Sequence, residues 1–257
     1  MAALNPCNVL VTGSNRGIGL ELIRQLVGKS NRIFATCRNP NGPLAKKFSE
    51  LSAQHKLLIL YALDTNISDP SSIKAAAARV TEQLKGAGLN LLINNAAIVS
   101  HSTLDSVTPE DMSKVYQTNV IGSMMVSQAF LPLLRKASQE SPQNGMSCSK
   151  AAIVNISSEA GSITNLLAWD SAQVLPYRCS KAALNMLTKC QSLGYAKYEI
   201  LCITLHPGWL QTDMGNSVGS APMRVDEAVP AILKTLLRLS EKDSGTFVDW
   251  EGKVLPW

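Results

Sequence analysis

Thr12-Gly13-Ser14-Asn15-Arg16-Gly17-Ile18-Gly19 lies between a short apolar run, 8–11, and a stretch in which Ile18, Leu22, Ile23 and Leu26 recur at helical spacing. An apolar run that stops at glycines and resumes with a period near 3.6 reads as strand, turn and helix. Glycine at such a turn reaches dihedrals closed to other residues, and missing side chains let the backbone approach a ligand. The helix that follows presents oriented N–H groups at its first turn, which favour a phosphate charge. Gly13, Ser14, Asn15, Arg16, Gly17, Ile18 and Gly19 are therefore expected to hold a dinucleotide pyrophosphate. The spacing is G-x-x-x-G-x-G rather than G-x-G-x-x-G, and the strand–turn–helix context gives the pattern its force.

Outward from this turn the same alternation continues. Strands are expected over 32–37, 56–63, 89–93, 151–156, 200–205 and 246–249. Helices are expected over 44–53, from Asp69-Pro70 to near Gly86, over a long stretch capped by Thr108-Pro109, over 176–197 and over 226–239. Asp and Thr before proline are N-cap signals, since proline suits the first helical position. A polar stretch, 137–150, is expected to cross the surface. Strands alternating with helices imply an α/β fold, a Rossmann-type doubly wound parallel sheet of about seven strands with helices on both faces. No linker-like stretch divides the chain, so 1–257 is expected to form one domain.

Composition narrows the function classes. Twenty-four Lys and Arg against 19 Asp and Glu give a formal charge of +5, and no basic run exceeds Lys46-Lys47, which argues against nucleic acid as a partner. The six cysteines, Cys7, Cys37, Cys148, Cys179, Cys190 and Cys202, lack the close pairing of a zinc site, so no metal is expected. No apolar run is long enough to span a bilayer, and a first strand near Val9 leaves no room for a removable leader. A cytoplasmic protein with no membrane partner is expected.

Two further features bear on the ligand. Dinucleotide sites that take NAD place an acidic side chain on the ribose near the end of the second strand. Here that end reads Thr36-Cys37-Arg38, with a second cation, Arg16, in the glycine turn. Two guanidinium groups suit a ribose 2′-phosphate, at roughly 1.5–3 kcal/mol for each charge-assisted bond, and NADP(H) is the expected cofactor. Farther along, Tyr177-Arg178-Cys179-Ser180-Lys181 puts a phenol and an ammonium one helical turn apart on one face. A phenol titrates near ~10, and a neighbouring ammonium is expected to lower it by about 2–3 units.

With these residues in order, the chain resembles the short-chain dehydrogenases/reductases over essentially its whole length, and most of all the sniffer-type carbonyl reductases. The resemblance is carried by Asp64, by Asn94-Asn95-Ala96-Ala97, by Asn119, by Asn155-Ile156-Ser157-Ser158, by Tyr177 with Lys181, and by His206-Pro207-Gly208. It implies that Tyr177 is the general acid, that Ser158 holds the carbonyl oxygen, and that Lys181 binds the nicotinamide ribose. It also implies that Asn119 anchors a water leading to Lys181. Asp64 and Asn95 would line the adenine side and floor of the cofactor site and Thr212 the nicotinamide carboxamide, with Ala96, Pro207 and Gly208 also binding the cofactor. His206 is read as structural and Cys179 as an ordinary helix residue. The 18 residues between Ser158 and Tyr177 exceed the family's usual spacing, and Ala97 stands where glycine is commoner.

The segments 159–175 and 209–223 are expected to cover the site with Ile163, Leu166, Trp169, Val174, Trp209, Leu210, Met214 and Met223. Such a lining suits a small-molecule substrate with a bulky apolar carbonyl: an aldehyde, ketone or quinone. The expected activity is an NADPH-dependent carbonyl reductase. Two alternatives stay open: an NADPH-binding regulatory or redox-sensor protein, and an NADP-dependent secondary-alcohol or hydroxysteroid dehydrogenase. Relatives pair through the helices of Asn119 and Tyr177, so the resemblance also allows a homodimer.

Overall fold

The computed structural model describes residues 8–27, 32–39, 42, 50 and 59–257. The glycine turn lies where the sequence puts it, after β1 (Asn8–Thr12) and before α1 (Gly17–Leu26). There follow β2 (Arg32–Cys37), β3 (Ile59–Asp64), α2 (Pro70–Leu84) and β4 (Leu91–Asn94). Then come α3 (Pro109–Tyr116), a π-helical turn (Gln117–Gly122), α4 (Ser123–Glu140) and β5 (Ala152–Ile156). The chain closes with α5 (Leu175–Tyr195), β6 (Leu201–His206), α6 (Asp213–Ser217), α7 (Val225–Arg238) and β7 (Phe247–Asp249).

The seven strands form one parallel sheet in the order β3-β2-β1-β4-β5-β6-β7. Alternate strand residues feed two separate cores. Val9, Val11, Ile33, Ile93, Val154 and Ile203 pack with Leu22, Ile23 and Leu26 of α1 and with Ile232 and Leu236 of α7. Leu10, Phe34, Leu92 and Ile153 pack with Ile73 and Val80 of α2 and with Phe130 and Leu134 of α4. Both faces are covered, which explains the continuous apolar strands, and each fully buried Leu or Ile contributes roughly 1.5–3 kcal/mol. Strand order reverses at β1 and β4, and in such sheets the ligand crevice opens beyond the carboxyl ends at that reversal. The glycine turn occupies that position.

The caps read from sequence are present: Asp69 accepts from the Ser71 N–H and Thr108 from the Asp111 N–H. Three details differ. The long helix after Thr108 is not uniform but passes through the π-helical turn around Asn119. Its last part, α4, runs to Glu140 rather than giving way at 137, because Ala137 packs against Gly88 and is buried with Ser138. The segment 209–223 also contains a short helix, α6, N-capped by Thr212. The helix expected over 44–53 lies, apart from Glu50, outside the described residues, as do 56–58 of the third strand.

Candidate active site

The turn after β1 is held from two sides. Gly13 has φ +62°, and a Cβ there would come within 2.8 Å of the Ala96 Cα. A Cβ on Gly19 would meet the Gly13 carbonyl oxygen at 2.5 Å and the Asn95 Nδ2 at 2.6 Å. Asn95 donates from Nδ2 to the carbonyls of Thr12 and Gly13, while the N–H groups of Asn95 and Ala96 donate to the Thr12 hydroxyl. Ser14 donates from both its N–H and its hydroxyl to the Thr36 carbonyl. Asn95 and Ser14 thus spend their polar side chains inside the protein, fixing the turn against β2 and β4. Asn15, Gly17 and Ile18 are half-buried at the start of α1.

Arg16 and Arg38 are both exposed at this end, and Asp64 closes β3 directly opposite Cys37. Arg16 pairs with Asp213 of α6 at 2.8 Å, across to the segment that follows β6. There Pro207 is buried, Gly208 takes φ +92°, and Thr212 accepts from the Gly215 N–H. A Cβ on Gly17 would meet the Thr212 methyl at 3.3 Å, so the glycine turn and the 207–213 segment face each other closely.

Beyond β5, the Ser158 side chain lies beside the Tyr177 hydroxyl, near enough to oppose a rise in its pKa, while its Oγ accepts from the Ala160 N–H at 3.2 Å. Ser157 turns the other way, donating to Asn185 Oδ1 at 2.7 Å. Lys181 is buried, donates from Nζ to the Ile156 carbonyl at 2.7 Å, and stands over the Tyr177 ring at 5.4 Å from its centroid. Burial pushes the Tyr177 phenol up to about 12, against the opposing influence of the Ser158 side chain, and pushes the Lys181 ammonium down to about 7. The expected lowering of the tyrosine is therefore corrected. Desolvation penalises both charged forms, and Nζ is directed at a carbonyl and a ring face rather than at the hydroxyl.

Asn119 is fully buried in the π-helical turn. It accepts from the Ile98 N–H, donates to the Ile98 carbonyl and donates to the Ser180 hydroxyl, each at 2.9 Å. Its amide ties the loop after β4 to α5, one residue before Lys181, and its own carbonyl accepts from Ser123. π-helical turns are rare, appear mostly as single turns inside α-helices and are frequent at functional sites.

A buried polar chain underlies this arrangement. Asn94 donates to Asn155 at 2.8 Å and to Ser127, and Asn155 donates to Thr188 and Gln191, linking β4 and β5 to α4 and α5. His206 accepts at Nδ1 from the Glu159 N–H, and burial lowers its pKa, so it is a neutral brace.

The segment between Ser158 and Tyr177 holds the residue that sequence reasoning missed. Arg178 is buried and donates to the carbonyls of Leu167, Ala172 and Gln173, each at 2.8 Å. Ala168 and Val174 take φ values of +54° and +37°, left-handed conformations that cost on the order of 1–3 kcal/mol each outside glycine. An arginine directly after the tyrosine, on a helix face that packs inward, was the available signal. Among the apolar residues expected to line the site, Ile163, Leu166 and Trp209 are exposed, and Trp169, Met214 and Met223 are half-buried. Val174 and Leu210 are instead buried as support, Leu210 pairing its backbone with Met223.

Residues 7–222 match the short chain dehydrogenase family model. The chain belongs to the short-chain dehydrogenase family. Among solved structures, an NADPH-bound carbonyl reductase from chicken fatty liver superposes with a TM-score of 0.92 at 54% identity, covering 98% of this chain and 100% of the other. The carbonyl reductase Sniffer of Drosophila melanogaster gives a TM-score of 0.90 at 35% identity, with the same coverage. The short-chain dehydrogenase anuI of Penicillium roqueforti is 32% identical over 99% of this chain and 98% of its own length. Within this short-chain dehydrogenase, the described residues include no helix long and apolar enough to cross a membrane and no cluster of metal-ligating side chains.

Proposed function

We propose that this short-chain dehydrogenase is an NADPH-dependent carbonyl reductase acting on bulky apolar aldehydes, ketones or quinones. The observation that carries the reading is the Ser158–Tyr177 hydroxyl pair with buried Lys181 one turn on, beyond the carboxyl end of β5. The 54% identity to a carbonyl reductase solved with NADPH supports both the activity and the cofactor.

The residues present fit a phosphorylated dinucleotide. The glycine turn leaves no room for side chains, the start of α1 offers its N–H groups, and two exposed guanidinium groups stand where an acidic residue would repel a 2′-phosphate. Arg16 and Arg38 would hold that phosphate, Asp64 and Ala96 would border the adenosine, and Pro207, Gly208 and Thr212 would border the nicotinamide. When bound, the cofactor supplies a hydride to the carbonyl carbon. The chain's own residues handle the oxygen and the proton. Ser158 orients the substrate oxygen by hydrogen bonding, and Tyr177, protonated throughout the neutral range, hands its proton to that oxygen. The nearby Lys181 ammonium stabilises the tyrosinate by its charge until the phenol regains a proton from solvent, and Asn119 keeps α5 and the loop after β4 in register.

The test is oxidation of NADPH against a panel of aldehydes, ketones and quinones, with NADH in parallel. Turnover of apolar carbonyls with NADPH preferred is expected. Tight NADPH binding without turnover on any carbonyl would instead assign a redox-sensing role.

A further inference from the structure

The segment joining Ser158 to Tyr177 is anchored at every part of its length. Its first turn, Glu159–Gly161, packs on Lys181, where a Cβ on Gly161 would come within 2.7 Å of the Lys181 Cβ. Farther on, Ser162 donates to the Pro256 carbonyl and Thr164 to the Trp257 carbonyl. Gln173 accepts from the Leu104 N–H, and the Leu175 N–H donates to Ser102. Arg178 supplies the inner anchor: three carbonyl bonds made by Nε and Nη2, a position over the Trp169 ring at 5.8 Å from its centroid, and a third nitrogen, Nη1, buried without a partner. A buried charge satisfied by loop carbonyls alone holds a backbone rather than an ion partner, and the two left-handed residues, Ala168 and Val174, lie within or next to the gripped stretch. On its outer side the same segment exposes Ile163, Leu166 and Leu167. Its two ends are the serine and the tyrosine, so what it presents borders the place where a carbonyl compound meets those hydroxyls.

We propose that Arg178 is a positioning residue that keeps residues 167–175 as a preformed apolar wall beside Tyr177 and thereby sets a preference for bulky over small carbonyl compounds. This rests on the carbonyl-reductase reading above. A preformed wall lowers KM for substrates large enough to reach it, because no ordering of the loop is then charged against binding.

The experiment compares wild type, Arg178→Met and Arg178→Lys in two ways. Amide hydrogen exchange over 167–175 is measured without substrate, and kcat/KM is measured with NADPH for biphenyl-4-carbaldehyde and for propanal. In Arg178→Met, exchange over 167–175 is expected to rise at least about tenfold, and the bulky-to-small ratio of kcat/KM to fall about tenfold, carried by KM. Arg178→Lys is expected to restore part of both, since an ammonium reaches some of the carbonyls without the guanidinium fork. Unchanged exchange, or an equal loss on both aldehydes, overturns the proposal. Should Arg178→Met fail to fold, the exposed Leu167→Ser decides: the same fall in ratio supports the wall and an unchanged ratio overturns it. If wild type reduces neither aldehyde, the carbonyl-reductase reading fails and the selectivity falls with it, while the exchange measurement still reports whether Arg178 holds the segment.

Discussion

At the scale of single residues, the site depends on two side chains pushed in opposite directions by one cause. Burial keeps Tyr177 protonated to about 12 and brings Lys181 down to about 7. Tyr177→Phe keeps the ring and its packing but removes the proton, so turnover is expected to fall about 10²–10⁴-fold while NADPH still binds, checked by steady-state rates beside a fluorescence titration. Lys181 gives a signed pH dependence. Its ammonium predominates below about 7 and is lost above it, so kcat/KM for carbonyl reduction is expected to decline as pH rises through 7, long before Tyr177 ionises. A profile flat to pH 9 would contradict this. The same shift is a cost to folding. An unfolded lysine holds its proton to about 10.5, whereas the folded one releases it near 7, so the penalty is complete below 7 and fades as pH rises toward 10.5. Lys181→Met is therefore expected to be inactive yet to melt higher than wild type at pH 7, with the gap closing at alkaline pH.

At the scale of elements, the strand–turn–helix unit was legible because glycine and apolar periodicity act locally, and the caps at Asp69 and Thr108 were legible for the same reason. The π-helical turn was not, because one inserted residue leaves the apolar stripe of α3 and α4 almost intact in the sequence. Gly122 and Asn119 form it through tertiary contacts: a Cβ on Gly122 would meet the Ile67 carbonyl at 2.6 Å, and Asn119 reaches Ile98 and Ser180. The roles of Asn95 and Ser14 as braces were hidden likewise, since a spacing tells where an amide lies and not which way it points. Tyr177 and Lys181 were legible as a pair, but their protonation depends on burial that no motif encodes. Asn119→Ala removes both partners of the half-buried Ile98 N–H and carbonyl, a cost of up to about 1–3 kcal/mol where water does not replace them. It is expected to lower the melting temperature and to cut kcat more than KM, whereas Gly19→Val, which drives a side chain into the Gly13 carbonyl, is expected to abolish NADPH binding, as read by titration.

At the scale of the molecule, the parallel sheet reverses its order at β1 and β4, and the residues that would meet the cofactor lie on strand ends, loops and opening helical turns at that one end. The two cores hold the strands whatever occupies the crevice, and the exposed Arg16–Asp213 pair reaches across it. Such a pair contributes little to stability, under about 1 kcal/mol, so Arg16 can exchange Asp213 for a phosphate at small cost. A ligand that binds the folded chain alone stabilises it by mass action, about 2.7 kcal/mol at a hundredfold excess over Kd. For a chain of this size that corresponds to a rise in melting temperature of about 5–10 °C. Saturating NADPH is expected to produce that rise and NADH at the same concentration a clearly smaller one, because NADH lacks the 2′-phosphate that Arg16 and Arg38 would bind. Arg38 is exposed, so Arg38→Leu leaves the cores untouched and is expected to shrink the NADPH rise toward that of NADH, without changing the melting temperature of the protein alone. Equal rises with the two cofactors in wild type would remove the phosphate from the recognition argument and leave the glycine turn as its basis.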